Sequence, residues 1–246
     1  MQTHHLSQLG ESVQVITCQA VICAVPLTQL QKQAIEFRPP LAAAKQGALH
    51  RVHMRNAIKV WAVFSRRFWP SDVWDVVCTH RLFPEFWMCS YTPAAEDAAL
   101  ADTPPPDREA IRRGAAADEH CVTAFVCGDR ARALATRSAD GMVQLLVKQV
   151  DEVLGHGAAS ASFVRGAAID WSKEPFIEGG YSSPSLGARA GDRALLAAPE
   201  RGVLFFAGEH THPGINPCLQ GAMETGDRAA AQVALALESR LMSSKL

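Results

Sequence analysis

The stretch LFFAGEHTHPGINPCLQGAMETGDRAAAQV, residues 204–233, decides how this chain is read. It opens on the apolar run Val203-Leu204-Phe205-Phe206, bounded by Gly202 and Gly208. A run that short between glycines predicts a buried strand. A polar turn rich in Gly, Pro and Asn follows. Beyond it Leu219, Ala222, Met223, Gly226, Ala230, Val233 and Leu237 recur at helical spacing, which predicts an amphipathic helix with small residues on its buried face. The first turn of that helix offers free backbone N–H groups and the positive end of the dipole. Strand, turn and helix N-terminus together can receive an anionic or electron-rich ligand edge.

This stretch resembles the C-terminal FAD-binding segment of the flavin-dependent amine oxidases, a family that includes monoamine oxidases, polyamine oxidases and flavin histone demethylases. The matching residues are Phe206-Ala207-Gly208-Glu209, Gly221-Ala222 and Gly226-Asp227-Arg228-Ala229-Ala230. The resemblance implies that Gly208 and Glu209 lie near the ribityl–pyrophosphate part of FAD. It also implies that the backbone N–H near Leu219 points at the flavin N1–C2=O edge, with Cys218, Gly221 and Ala222 in the same turn. A dipole end placed there would stabilise the negative charge of a reduced flavin. A plain strand–turn–helix of any α/β domain has the same periodicity; the length of the match favours the flavin reading.

Working outward, residues 13–25 are rich in β-branched residues and predict two strands around Gln19-Ala20. Pro26 stops the second, and Leu27 to Phe37 is a short helix candidate. Val21 to Leu27 resembles the family's strand that ends in a proline close to FAD, which makes Val25 and Pro26 cofactor-side candidates. Leu41 to Val52 is Ala-rich and helical. Asn56 to Phe64 alternates, with Ile58, Val60, Ala62 and Phe64 on one face and Lys59, Trp61 and Val63 on the other. A lysine in a strand is ordinarily a solvated side chain. However, Asn56-Ala57-Ile58-Lys59-Val60 followed by Phe68-Trp69-Pro70 resembles the segment carrying the family's flavin-site lysine, which holds a water beside flavin N5. Lys59 is therefore the leading catalytic candidate.

Val73–Thr79 and Phe86–Tyr91 are strand candidates whose aromatics belong to a core or a substrate funnel, the core being favoured. Residues 93–119 are rich in Ala, Asp and Pro and read as a surface insertion, with a short helix at Asp107–Arg113. His120–Cys127 is a strand, Ser138 caps a helix ending near Gly155, and Ser162–Trp171 is another strand. Asp170 to Phe176, then Gly179-Gly180-Tyr181-Ser182, resembles the family's Trp-containing loop and the turn beside the flavin. Trp171 is thereby a cofactor-side candidate and Tyr181 a residue facing the substrate cavity.

Composition sets the bounds. In 246 residues, 48% are hydrophobic and 20% charged, ordinary for a globular protein of one large or two small domains. A net charge of −1 gives no reason to expect nucleic acid or an anionic membrane surface as partner. Seven cysteines, never spaced CxxC, argue for a reducing compartment and against a disulfide framework or a zinc site. His210 and His212 lack carboxylate or Cys partners at ligand spacing, so no metal is expected. No apolar run reaches the roughly 18 residues of a transmembrane helix, and the N-terminus is not a signal peptide.

No GxGxxG occurs, and the resemblance covers only the C-terminal part of the family pattern. The expected fold is α/β: the C-terminal portion of a two-domain FAD-dependent amine oxidase, without the N-terminal Rossmann βαβ unit. Residues 1–30 and 190–241 would belong to the FAD-binding domain, 31–189 to a mixed-sheet substrate domain, and 242–246 to a targeting tail. The implied reaction takes a hydride from the carbon beside a neutral amine to the flavin. Water hydrolyses the resulting imine, and O2 reoxidises the flavin with release of hydrogen peroxide. FAD would be non-covalent, because Tyr181 and Ser182 occupy the turn where some members attach it through Cys, and weakly held or absent in this chain. Cys218 stands where one tyrosine of the family's two-tyrosine cage would be, which favours a polyamine-type substrate. The alternatives are a non-catalytic remnant or binding partner, and another flavoprotein of the same fold, such as a carotene desaturase or porphyrinogen oxidase. Ser244-Lys245-Leu246 matches the signal read by the peroxisomal import receptor and predicts a peroxisomal address.

Overall fold

The computed structural model describes residues 14–91, 118–215 and 217–243. In chain order the elements are β1 (Val21–Cys23), α1 (Leu27–Gln31), α2 (Ala43–Leu49), β2 (Val52–Arg55), β3 (Ala57–Phe64), β4 (Asp75–Val77) and β5 (Glu85–Tyr91). They continue as β6 (Glu119–Cys127), α3 (Gly128–Leu134), α4 (Ala139–Val150), α5 (Ala158–Ser162), β7 (Phe163–Asp170), β8 (Tyr181–Pro184), α6 (Asp192–Ala197), β9 (Leu204–Phe206) and α7 (Leu219–Ser243). Two compact units result: residues 56–172, and residues 1–55 together with 173–246. The boundaries expected from sequence lay at 30/31 and 189/190; contacts instead group residues 31–55 and 173–189 with the termini.

The 56–172 unit is built on a five-stranded antiparallel sheet in the order β4-β5-β6-β3-β7. Period-two alternation decides its faces. Ile58, Val60, Ala62 and Phe64 of β3 and Val122, Ala124 and Val126 of β6 are all fully buried. They pack with Phe83, Phe86, Met142, Val143, Leu146, Val147 and Val150 into one apolar core. α4 supplies the last five, and its N-cap is Ser138, whose hydroxyl accepts the Gly141 N–H at 3.1 Å. Gln149, buried in this core, is bracketed by the Phe83 backbone through Oε1 (3.0 Å) and Nε2 (2.7 Å), so no amide polarity is wasted there.

The other unit has two small sheets: a parallel pair β1–β9 and an antiparallel pair β2–β8. Leu27, Leu49, Val52, Leu196 and Phe206 form one small core, and Phe205, Ala207 and Ala229 form another. Buried polar groups are prominent between them. Lys45 Nζ donates to the carbonyls of Leu195, Leu196 and Ala198 at 2.6–2.8 Å, closing the C-terminal end of α6. Its ammonium also lies 4.1 Å from the centre of the Phe206 ring. Asp192 is bound by the Arg51 guanidinium at 2.6 Å.

Several expectations are corrected. Residues 14–20 form no strand, leaving only β1 of the expected two. The helix expected from Leu27 to Phe37 stops at Gln31, and Gln33 has a positive φ of 55°. On α7, Leu219 and Met223 are 73% and 63% exposed and Ala230 is exposed too, whereas Gly221, Thr225 and Ala229 are buried. The buried stripe is the one whose smallest residues let the helix lie against β9 and the following turn. Of the aromatics between 72 and 92, Phe83 and Phe86 are buried but Trp74 is 67% exposed. α7 runs to Ser243, past the expected end near Leu241. The expected insertion at 93–119, its short helix, and Ser244-Lys245-Leu246 fall largely or wholly outside the described residues.

Candidate functional site

In the parallel-pair unit, Cys23 lies in register with Phe206, so Val25-Pro26 and Gly208-Glu209 leave the same carboxyl end of the pair. That end is where α/β sheets take their ligands. Gly208 has φ 125° and ψ 154°, a conformation L-residues rarely adopt, and its N–H donates to Thr225 Oγ1 of α7 at 2.9 Å. The space a side chain at Gly208 would need holds the His210 ring, 2.7 Å from such a β-carbon. The glycine therefore serves packing on its own turn. His210 is buried and pushed down to about 4, by burial first and then by Arg193, Lys45 and Arg228.

Glu209 reaches β8. Its Oε1 accepts the Ser182 N–H and its Oε2 the Ser182 hydroxyl, both at 2.8 Å. Arg193 Nη1 also donates to Ser182 Oγ, at 2.9 Å. The carboxylate thus fixes the residue next to Tyr181, which is half-buried and registered with Arg55 of β2. With two acceptor positions used, Glu209 keeps lone pairs for a ligand hydroxyl.

α7 presents its first turn to solvent: Cys218 and Leu219 are exposed, and no acidic side chain occupies that turn. Gly221 is buried because the Ile215 carbonyl lies where its side chain would be. His212 holds this loop in place. Its Nδ1 accepts the N–H of Gly214 at 3.1 Å and of Ile215 at 2.6 Å, so the ring proton sits on Nε2, facing Glu224 Oε2 at 2.9 Å. Ala222 N–H has a carbonyl partner in Cys218, and among the described residues the N–H groups of the turn before it have no backbone acceptor. The donor set of this turn fits the electron-rich edge of a flavin ring.

In the antiparallel unit, Lys59 is exposed on the face of the sheet opposite α4. Its register partners are Phe125 on β6 and Ile169 on β7, both half-buried. Phe125 lies 6.5 Å, centroid to centroid, from Trp87 of β5. Trp171 continues the register beyond β7, its N–H donating to Ala57 O at 3.0 Å. Lys59 therefore rises among Phe125, Ile169, Trp61 and, one step along, Trp171.

The structure thus collects Val25, Pro26, Tyr181, Gly208, Glu209, Cys218, Leu219, Gly221 and Ala222 in one unit and Lys59 and Trp171 in the other. Sequence reasoning did not single out Arg193 and Thr225 or see that Glu209 holds Ser182, contacts between residues 11 to 27 apart, and it weighed His210 and His212 only as metal ligands, not as the packing and loop-holding groups they are. It also missed Phe125, although the alternation Cys121, Thr123, Phe125 against Val122, Ala124, Val126 carried its facing. A cavity of about 460 Å³ lies among Leu30, Phe37, Arg38, Leu41, Leu49 and His50, and holds none of these candidates. Among the described residues, no group of three or more His, Cys, Asp or Glu could hold a metal ion, and no helix is long and apolar enough to cross a membrane.

These features belong to a known class of protein: the chain is a member of the flavin containing amine oxidoreductase family, whose pattern matches residues 7–234. It is 26% identical over 240 residues to lysine-specific histone demethylase 1 homolog 2 of Oryza sativa subsp. japonica, a match covering 95% of this chain and 28% of that protein. It is 27% identical over 228 residues to the human peroxisomal N(1)-acetyl-spermine/spermidine oxidase, covering 85% of this chain and 41% of the relative. Its fold matches that of a putrescine oxidase bound to putrescine with a TM-score of 0.68 at 22% identity, covering 88% of this chain and 42% of the other. The chain therefore spans less than half the length of these proteins, and its mixed α/β fold corresponds to part of theirs. Membership in this family implies a flavin cofactor.

Proposed function

We propose that this chain is the ring-side portion of an FAD-dependent amine oxidase of polyamine type. The observation that carries this reading is Lys59, a lone cation on a strand whose neighbours in register are Phe125 and Ile169, in a chain of the flavin amine oxidase family. When bound, FAD accepts two electrons from the carbon beside an amine and passes them to O2, giving hydrogen peroxide. Lys59 holds a water for that chemistry and keeps it oriented. Tyr181, fixed through its neighbour Ser182 by Glu209, steers the amine nitrogen. The first turn of α7, with Cys218 to Ala222, faces the electron-rich edge of the ring, and Val25, Pro26 and Gly208-Glu209 shape the turn behind it. Trp171 and Phe125 flank Lys59 on its face of the sheet and present apolar surface beside it. The substrate is a polyamine-like cation, in keeping with the names of the acetylspermine oxidase and the putrescine oxidase.

The purified chain, incubated with FAD and passed through gel filtration, is expected to retain little flavin, since no GxGxxG is present to grip the pyrophosphate. Stoichiometric yellow protein would overturn that expectation. In a longer protein that contains this chain and retains FAD, peroxide release should be greater with spermine or spermidine than with benzylamine. Lys59→Met should lower kcat at least about tenfold with little change in substrate affinity. Unchanged turnover would make Lys59 an ordinary solvated lysine. We also propose a peroxisomal address at Ser244-Lys245-Leu246. A fluorescent fusion at the N-terminus that stays diffuse whether or not Leu246 is present would refute it.

A further inference from the structure

Cys89 and Cys121 are 32 residues apart in sequence and directly opposite each other on β5 and β6. Their pairing class follows from backbone hydrogen bonds at the strand ends. Met88 N–H donates to Trp74 O, which turns the even-numbered backbone groups of β5 toward β4 and the odd-numbered ones toward β6. Gly128 N–H donates to Asn56 O, which turns the even-numbered groups of β6 toward β3 and the odd-numbered ones toward β5. Cys89 and Cys121 are thus a hydrogen-bonded opposite pair, for which the Cα atoms lie about 5.5 Å apart, within the span a disulfide bridges. Their β-carbons point to the same face, and both residues are half-buried with free thiols. A hydrogen bond with Cys89, and then burial, hold Cys121 above the usual thiol range. Cys121 Sγ also lies 3.7 Å from Thr123 Oγ1.

The face matters as much as the distance. Lys59 is in register with Phe125, and Cys121 is four residues along the same strand, on the same side of the sheet. Val63 of β3 is the register partner of Cys121 on its other flank.

We infer that Cys89 and Cys121 are a peroxide-responsive thiol pair that closes reversibly into a cross-strand disulfide on the Lys59 face. The thiolate of Cys89 attacks one oxygen of a hydroperoxide, and the O–O bond breaks. With hydrogen peroxide the departing hydroxide takes up a proton as water, and Cys89 becomes a sulfenic acid. The Cys121 sulfur then attacks the Cys89 sulfur, the S–O bond breaks, and a second water leaves with the remaining proton. Two thiols are oxidised by two electrons and one peroxide is reduced to two waters. Cys121, the thiol partner in the hydrogen bond with Cys89, gives up its proton to the departing hydroxide as its sulfur attacks. A dithiol reductant reverses the reaction by exchange. Hydrogen peroxide is also the product of the proposed oxidase reaction, but the thiol chemistry needs only peroxide from any source.

The test uses the full chain with added hydrogen peroxide and no flavin, so it is separate from the amine oxidase reading. A Cys127→Ser background leaves Cys121 as the sole thiol of its tryptic peptide, and the cleavable Arg108, Arg112 and Arg113 separate that peptide from Cys89. The expected result is loss of two alkylatable thiols and two hydrogens of mass, with a Cys89–Cys121 linked peptide that dithiothreitol abolishes. In Cys121→Ser, Cys89 should instead be trapped by dimedone as the sulfenic acid. The same oxidation in urea, which removes the register, should scatter the links among other cysteines and guards against a variant that merely misfolds. The proposal fails if both thiols remain alkylatable in the native chain at peroxide levels that oxidise Cys18 and Cys218. It fails equally if the Cys89–Cys121 link is no more frequent in the native chain than in urea.

Discussion

The antiparallel unit and the parallel-pair unit bury different chemistry. In the first, a continuous apolar core fills one face of a five-stranded sheet, and its buried amide, Gln149, is satisfied by one residue's backbone. In the second, two strand pairs enclose small apolar clusters, and ionisable groups occupy the space between: Lys45, Asp192, Glu200 and His210 are all under a tenth exposed. Apolar packing tolerates pH and resists local opening in proportion to the area buried. A polar interior holds its shape only while each donor keeps its acceptor. The first unit is therefore a scaffold, and the second is a set of turns pinned by named hydrogen bonds.

The largest expected effect tests the apolar side of this contrast. Phe86→Ala removes a fully buried ring and should lower stability by about 3–5 kcal/mol, read from the urea midpoint. Amides of β3 and β6 should lose protection from hydrogen exchange while those of β1 and β9 keep theirs. A loss under about 1 kcal/mol would mean that the core can collapse around the cavity, and that the scaffold is softer than its packing suggests.

Next in size is the polar side. Lys45→Met retains the apolar stem but strips three carbonyls of their donor. The expected cost is about 2–3 kcal/mol, with faster exchange in α6 and no change in the 56–172 unit. Uniform loss across both units would show that they unfold as one.

Acid should also separate the two. His210 takes a proton below about pH 6.5 in the unfolded chain but only below about 4 in the folded one. Its contribution is complete above pH 6.5 and is lost as pH falls from 6.5 toward 4, at up to about 1.4 kcal/mol per pH unit. Asp192, held below the usual carboxylate range by its hydrogen bonds with Arg51, adds a further loss at pH values below about 4. Thermal unfolding between pH 7 and 4.5 should show this slope, and His210→Gln should flatten it. A slope unaffected by that substitution would place the titrating group elsewhere.

The smallest effect concerns the proposed lysine. Lys59 is exposed, so Lys59→Met should change stability by no more than about 0.5 kcal/mol. A larger change would make the residue a structural one and would confound any loss of turnover.

The parts of this fold legible in sequence are those set by local period and local chemistry. The alternation of 57–64 placed Ile58, Val60, Ala62 and Phe64 inward and Lys59 outward. Ser138 announced α4 because a cap is made within three residues. What was not legible depends on register and on close approach. The α7 stripe was read one position away from the true one, because small residues at 221, 225 and 229 were outweighed by the greater hydrophobicity of Leu219 and Met223. The bracket on Ser182 joins residues 27 apart, and Phe125 comes to Lys59 only through strand pairing. The end of the β1–β9 pair was legible through Gly208, but the reason for the glycine, the His210 ring, was not.

Among the described residues one side of β1 has no partner strand, and this has a consequence for handling the polypeptide in solution. β9 is the sole neighbour of β1 among the described residues, and Val21 and Ile22 are 48% and 41% exposed. A short apolar strand with an unpaired edge is a template for any extended segment that meets it. Concentrated samples should drift toward soluble oligomers and then precipitate, and dilution should reverse the early stage. Replacing Ile22 with lysine would place a charge on that edge and keep the chain dispersed.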